Sequence, residues 1–183
     1  MKATITGLLL MLSLSPITVL AETTQGEAPK VCPNTKALRG MCMFVGSKTG
    51  ASDPQGRYRW RYQEKLLDAA CVDFLLDSED EIGRKIAKVW NDNDDKLTCN
   101  STSFDVPDGS LIKFAVNMKF DEFIFDIAAW GVELNKVDAA DGRTVLDYVR
   151  DSITRYRGQY GERTLKNYYD VLKKAGAKHH SEL

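Results

Sequence analysis

The strongest constraint on this fold is an Asp-Gly pair that occurs twice, each time before an amphipathic segment. Gly109 and Gly142 lie 33 residues apart, in the stretches DGSLIKFAV and DGRTVLDYV. Between them, apolar residues recur at three- and four-residue steps over 110–117 and over 121–130, which is the periodicity of helices. A unit of this length cannot bury its own apolar face, so neighbouring units must stack to form a continuous core. The spacing therefore predicts stacked pairs of helices.

The same periodicity predicts helices over 58–76, 79–90, 144–157 and 164–175. Phe74 falls on the apolar face of the first of these. Ser78 followed by Glu81 has the form of a capping box, and Gly131 and Gly176 stand where a left-handed residue ends a helix. Strand-like alternation does not extend beyond a few residues. These patterns predict an all-α fold.

The repeated unit resembles the ankyrin repeat, a turn followed by two antiparallel helices of about 33 residues. The similarity rests on Gly131-Val132-Glu133-Leu134-Asn135, on Thr144-Val145-Leu146-Asp147 and on LKKAGAK at 172–178. The resemblance implies an ankyrin-like stack of about three helix pairs with short hairpin turns over 58–183. The cysteines at 32 and 42 predict that a disulfide-tied N-terminal segment precedes this stack. The sequence departs from the family pattern in lacking its Thr-Pro-His motif at 110–113 and in an insertion within the last repeat.

The first 21 residues have the organisation of a signal peptide. Lys2 precedes an apolar run over 5–20, and Val19-Leu20-Ala21 forms a cleavage site before Glu22. An uncleaved membrane anchor is disfavoured because the run is shorter than the ~20 residues that span a bilayer and contains Pro16. Residues 22–57 are an N-terminal segment and loop, polar over 22–30, apolar and helix-like over 31–45, and rich in Gly, Ser, Asp and Pro over 46–57. The expected location is the periplasm, without stable membrane insertion after cleavage.

Four cysteines, Cys32, Cys42, Cys71 and Cys99, lie in the mature chain. An even number in an exported protein favours disulfides, although four cysteines allow three pairings. Shorter loops close at a lower entropic cost, which favours Cys32–Cys42 with Cys71–Cys99. A zinc site is disfavoured because the sequence has no CxxC pair.

Composition and motifs argue against several functions. The 25 basic and 26 acidic residues give a net charge of −1, whereas nucleic-acid binders usually have a basic excess. The only histidines, His179 and His180, lie in the tail, where disorder is expected. No histidine is therefore placed to activate a nucleophile or to form a metal site. We expect no catalytic residues, no cofactor and no metal.

The ankyrin resemblance implies partner contacts at the hairpin tips and on the exposed face of the first helix of each unit. The insertion adds tyrosine and arginine, which are enriched at protein interfaces. The expected partner-binding residues are Lys113, Asn117, Lys119, Asp141, Arg143, Asp147, Arg150, Arg155, Tyr156, Arg157 and Tyr160.

These features predict a non-catalytic periplasmic module that binds a protein. A small, exported, disulfide-containing binder is similar to bacterial periplasmic immunity proteins, which neutralise a toxin such as one delivered by type VI secretion. That resemblance is one of class and compartment. The alternatives are a periplasmic stress or envelope-assembly factor, and a small hydrolase whose carboxylates the sequence does not single out.

Overall fold

The computed structural model describes residues 31–46 and 61–183. The predicted signal peptide and the remainder of the 22–57 segment lie outside these ranges. The described residues are mostly helical, as predicted, and contain seven α-helices and one pair of two-residue strands. The helices are α1 (Met41–Gly46), α2 (Arg61–Ala69), α3 (Glu79–Asn91), α4 (Leu111–Met118), α5 (Asp121–Trp130), α6 (Val145–Arg155) and α7 (Glu162–Lys174). The strands β1 (Thr98–Cys99) and β2 (Gly109–Ser110) pair antiparallel, with Thr98 opposite Ser110.

Side-chain and glycine caps set several helix ends where the sequence predicts them. The Ser78 hydroxyl accepts the Glu81 N–H at 3.3 Å at the start of α3. Thr144 accepts the Asp147 N–H at 3.3 Å at the start of α6. Gly131, at the end of α5, has φ +72°. These caps satisfy backbone groups that the helix ends leave without partners.

The two Asp-Gly pairs differ in backbone conformation. Gly142 has φ +71°, whereas in the first pair it is Asp108 that has a positive φ, of +56°. Gly109 is instead required by a close approach, because a Cβ atom there would lie 2.7 Å from Cγ1 of Val106. The two glycines therefore meet different steric demands.

The prediction of one helix over 58–76 with a buried Phe74 is wrong. Helix α2 ends at Ala69, and Phe74 is exposed. The Val72 N–H donates to the Leu67 carbonyl at 3.0 Å and the Cys71 N–H to the Asp68 carbonyl at 3.2 Å, while Cys71 has φ +52°. This is a Schellman ending with cysteine in the left-handed position that glycine usually occupies. Without a glycine, the sequence contains no recognisable stop signal there.

The helices pack into one core around α4. Helix α4 contacts α1, α5 and α6, while α5 contacts α3 and α7, and α2 contacts α1 and α3. The apolar face of 31–46 joins the same core through Met41, Phe44 and Val45. The buried apolar residues of the four C-terminal helices include Phe114, Ala115, Ile124, Ile127, Leu146, Val149 and Leu172, whereas Ala128 and Val171 are partly exposed. None of the helices in the described ranges is long and apolar enough to cross a membrane.

The disulfides are Cys32–Cys71 and Cys42–Cys99, so the preferred pairing in the sequence analysis is wrong. The Cα atoms are 5.9 and 5.5 Å apart, a normal separation for bridged cysteines. Each bridge connects residues 31–46 to a distant part of the chain: the turn after α2, or β1. Tertiary packing brings these cysteines together, and it outweighs the small entropic preference for short loops.

Among the charged residues that the structure describes, Lys113 has the most deeply buried side chain, with 1% exposure. Its ammonium lies 2.5 Å from Asp141 and 3.2 Å from Asp138, and it donates to the Arg143 carbonyl at 2.8 Å. Lys113 therefore attaches α4 to the hairpin of residues 138–143. The prediction that Lys113 lies on the exposed face is wrong, because all three of its donors are used inside the protein.

Asp138 completes this attachment. Its carboxylate accepts the N–H groups of Ser110 at 2.7 Å and of Ala140 at 3.0 Å. Burial by itself would raise the pKa of Asp138, but these two N–H donors and the charge of Lys113 hold the pKa below its ordinary value. The carboxylate is therefore stabilised in its charged form.

We expect Lys113→Ala to lower the free energy of unfolding by about 3–5 kcal/mol, because it leaves buried carboxylates without their counter-charge. The matched control is Lys136→Ala. Lys136 contacts Asp94 at 2.6 Å with a side chain that is 51% exposed, and its loss should change stability by only about 0–1 kcal/mol. Denaturant unfolding of both variants measures the difference. Equal losses would contradict the assigned role of Lys113.

Candidate functional site

Residues 72–77, between α2 and α3, form a turn held by hydrogen bonds at both ends. The Asp73 carboxylate accepts the Leu75 N–H at 2.9 Å, and the Asp77 carboxylate accepts the Asp73 N–H at 2.8 Å. Lys85 donates to Asp77 at 2.6 Å. The hydrogen bond from Lys85, together with that from the Asp73 N–H, lowers the pKa of Asp77. These contacts, with the disulfide at Cys71, constrain the conformation of the turn.

Three consecutive large apolar side chains point outward from this turn. Phe74, Leu75 and Leu76 are 70%, 93% and 81% exposed, and we call these three residues the apolar tip. Single exposed apolar residues are common, but a contiguous exposed group marks an interaction site. The helical period that includes Phe74 predicts a buried position there, so the tip is not predicted from the sequence. The available signal was the run Phe-Leu-Leu between Asp73 and Asp77, where the helical alternation with polar residues stops.

Acidic residues surround the apolar tip. Asp73 and Asp77 flank it, and Glu79, Asp80 and Glu81 follow in the first turn of α3. An anionic bilayer surface would repel this concentration of negative charge. The tip is thus an exposed apolar group bordered by acidic side chains, of which Asp77 is paired with Lys85.

A second group contains four of the residues predicted to bind a partner. Asp141, Arg143, Asp147 and Arg150 lie together at the hairpin and along α6. Arg143 bridges Asp141 at 2.8 Å and Asp151 at 3.1 Å, while Arg150 lies 3.2 Å from both Asp147 and Asp151. A shallow depression beside them is lined by Gly142, Arg143, Asp147, Arg150, His180 and Ser181. The charges in this group are thus paired with one another.

Asp147 is 5% exposed and holds the C-terminal tail. Its carboxylate accepts the Thr144 hydroxyl at 3.1 Å and the His180 N–H at 2.9 Å, and contacts Nδ1 of His179 at 2.8 Å. The Tyr169 hydroxyl hydrogen-bonds Nε2 of His179 at 2.9 Å. The expectations that Asp147 is exposed and that His179 lies in a disordered tail are therefore wrong. Both ring nitrogens of His179 have partners.

The environment of Asp147 strongly favours its carboxylate form. Burial alone would raise its pKa, but hydrogen bonds from the His180 N–H, His179 and Thr144, together with the charge of Arg150, lower the pKa to about 2. A carboxyl with a lowered folded-state pKa stabilises the fold above its unfolded-state pKa. This stabilisation is lost as the pH falls through the folded-state value.

We expect acid to remove the stabilisation due to Asp147 between about pH 4 and pH 2. When the pH is lowered from about 4 to about 2, the free energy of unfolding of wild type should fall by about 1–2 kcal/mol more than that of Asp147→Asn. The asparagine amide does not bind a proton in this range. Asp170→Asn, at an exposed position on α7, is the control and should follow wild type. Urea unfolding across this pH range measures the difference. Parallel curves for wild type and Asp147→Asn would refute the role assigned to this carboxylate.

The remaining predicted residues lie around the end of α6. The Lys119 ammonium is 4.4 Å from the centroid of the Tyr156 ring, a cation–π contact. Asn117 donates to the Ser103 carbonyl at 2.8 Å. Arg155 forms an ion pair with Asp105. These contacts connect α4 and α6 to their neighbours.

Asp105 also accepts the Tyr148 hydroxyl at 2.6 Å. Burial, and then this hydrogen bond to a carboxylate, raise the pKa of Tyr148. Beyond this cluster, Arg157 is exposed and Tyr160 is fully exposed. Of the tyrosines and arginines predicted in the insertion, Arg155, Arg157 and Tyr160 are exposed, and Arg155 is held in its ion pair with Asp105.

Comparisons of the chain with protein-family models, with curated proteins and with solved structures found no match. Within 31–46 and 61–183, there is no group of three or more His, Cys, Asp or Glu side chains that could hold a metal ion.

Proposed function

We propose that this chain is a non-catalytic, exported protein-binding module, and within that class an immunity protein. It would bind and neutralise a secreted antibacterial toxin of the kind that type VI secretion delivers to the periplasm. The observation that supports binding is the apolar tip, which exposes Phe74, Leu75 and Leu76 on a constrained turn. The step from binder to immunity protein rests on the class resemblance and on the predicted export.

The two disulfides fit an oxidising compartment, which supports a periplasmic location. We also propose an ankyrin-like arrangement for the pairs α2–α3, α4–α5 and α6–α7. Contacts between the first helices α4 and α6, and between the second helices α3, α5 and α7, support it. In such a stack the turns between elements present side chains to a partner.

The energetics of the tip are suited to protein recognition. Burying one Phe or Leu side chain contributes about 1.5–3 kcal/mol, so the three residues together offer roughly 5–9 kcal/mol before association costs. The constrained turn lowers the part of that cost that comes from ordering the loop. A micromolar complex needs about 8 kcal/mol net, so the tip requires further contacts for tight binding.

The first test uses the mature chain, residues 22–183, to capture its partner from cells of its own organism. Mass spectrometry identifies the captured protein, and a binding isotherm then measures the affinity of the complex. Replacing Phe74, Leu75 and Leu76 together with serine should weaken the captured complex at least about 100-fold, since tenfold corresponds to 1.4 kcal/mol. The melting temperature should stay nearly unchanged because these side chains are exposed. Leu183→Ser, which changes an exposed leucine at the C-terminus, is the control and should bind like wild type.

The identity of the captured protein decides between functions. A partner that is toxic in the periplasm, and whose toxicity the wild-type chain relieves while the serine variant does not, supports the immunity proposal. A non-toxic stress or envelope-assembly partner supports that alternative instead. Substrate turnover by the purified chain, with no partner captured, would overturn the binding proposal in favour of a hydrolase.

The insertion provides a separate prediction. The double variant Arg157→Ala and Tyr160→Ala should weaken the same complex about tenfold, because it removes two interface side chains that each contribute moderately to the binding free energy. The melting temperature should not change, since both side chains are exposed. Tyr156→Ala should lower the melting temperature, because its ring packs against the core and under Lys119. Unchanged affinity in the double variant would place the insertion outside the interface.

A further inference from the structure

A cavity of about 230 Å³ lies beside the hairpin of residues 138–143. Its floor is apolar and consists of buried side chains, including Trp90, Leu97, Leu111 and Leu134. The volume far exceeds that of one water molecule and is below the ~300 Å³ of a typical drug-sized pocket. It therefore suits a single extended side chain.

The rim of the cavity is negatively charged. Five carboxylates line it, against the one ammonium of Lys136. They belong to Asp94, Asp95, Asp108, Glu133 and Asp138.

Two of these charges are balanced inside the protein. Lys136 pairs with Asp94, and the buried Lys113 pairs with Asp138. Glu133 has only a local contact, accepting the Asn135 N–H at 2.6 Å. In the described part of the chain, no hydrogen bond or ion pair engages the carboxylates of Asp95 and Asp108. The rim thus carries uncompensated negative charge above an apolar floor.

We propose that this cavity receives a lysine or arginine side chain of the protein partner, an inference that rests on the proposed function. The aliphatic stem of such a side chain matches the apolar floor, and its terminal cation matches the acidic rim. A wholly apolar side chain would leave the carboxylates without a counter-charge. An acidic side chain would be repelled. Charge and polarity together therefore select a cation on an apolar stem.

The position of the cavity complements that of the apolar tip. The tip precedes the start of α3 at Glu79, whereas Trp90, in the cavity floor, lies in the last turn of this helix. Thirteen residues of helix span about 20 Å. A partner of ordinary interface size can cover both sites. The cavity then supplies the contacts that the tip alone lacks.

The test is an NMR titration of the mature chain with N-acetyl-arginine methylamide and N-acetyl-lysine methylamide. We expect saturable shifts in the backbone amides of Leu97, Ser110, Ala139 and Ala140, with millimolar dissociation constants. N-acetyl-norleucine methylamide, which has a comparable stem without the charge, should bind roughly tenfold more weakly. Equal binding of the norleucine compound, or shifts elsewhere in the chain, would overturn the proposal.

Variants at the exposed rim give a second readout. Asp95→Asn with Asp108→Asn should weaken binding of the arginine compound roughly three- to tenfold, as expected for two exposed ion pairs. Asp170→Asn, an exposed carboxylate on α7, should leave it unchanged. Raising the salt concentration should weaken the binding to wild type, since the charges are screened. Equal effects of the rim and control variants would contradict a charge-selective cavity.

The captured partner separates this inference from the proposed function. The rim variant carries Asp95→Asn and Asp108→Asn, and the tip variant carries serine at positions 74–76. If both variants bind the captured partner more weakly than wild type does, both proposals are supported. If the partner binds the rim variant as tightly as wild type, the cavity does not dock it, and the proposed function still stands on the tip. If no partner is captured, the proposed function and the docking proposal both fail, whatever the titration with small cations shows.

Discussion

The buried ammonium of Lys113 holds the hairpin of residues 138–143 against α4, and the surface around this hairpin depends on that contact. A charge with 1% exposure is costly to bury unless it is fully paired, and Asp138, Asp141 and the Arg143 carbonyl supply that pairing. Because all three partners belong to one hairpin, pairing the charge also places the hairpin against α4. The wall of the acidic cavity and the positions of Arg143 and Asp141 follow from this contact. A buried charge thus serves here to orient a surface element.

The sequence predicted the helices well where local chemistry decides, and poorly where tertiary contacts do. Ser78 and Gly131 cap helices as expected, because a cap is a property of a few adjacent residues. The end of α2 has no such local signal, since Cys71 takes the left-handed position. The cysteine pairing likewise depends on how residues 31–46 cross the other helices, which periodicity does not encode.

The candidate site illustrates the same limit. Arg157 and Tyr160 were predicted from residue type and are accessible. Lys113 and Asp147 were predicted from the ankyrin resemblance, which implied that they lie on an exposed helix face. Both are buried, because Lys113 faces carboxylates of the 138–143 hairpin and Asp147 faces the C-terminal tail. Such pairings join residues about 30 positions apart in sequence. The apolar tip was missed for the opposite reason: an apolar residue at a helical spacing is normally taken to be buried.

In the proposed complex, two chemically different contacts near opposite ends of α3 would divide affinity from selectivity. Burial of the apolar tip is non-directional and would accept many hydrophobic pockets, so on its own it would bind promiscuously. The cavity contributes less energy, because its rim charges are exposed to water and screened by salt. It would nevertheless disfavour partners that present an apolar or acidic residue at that position. Helix α3 is about 20 Å long, so a partner that contacts both its ends would have to match this length. A protein that must recognise one partner among many in the same compartment needs this combination more than it needs a larger hydrophobic area.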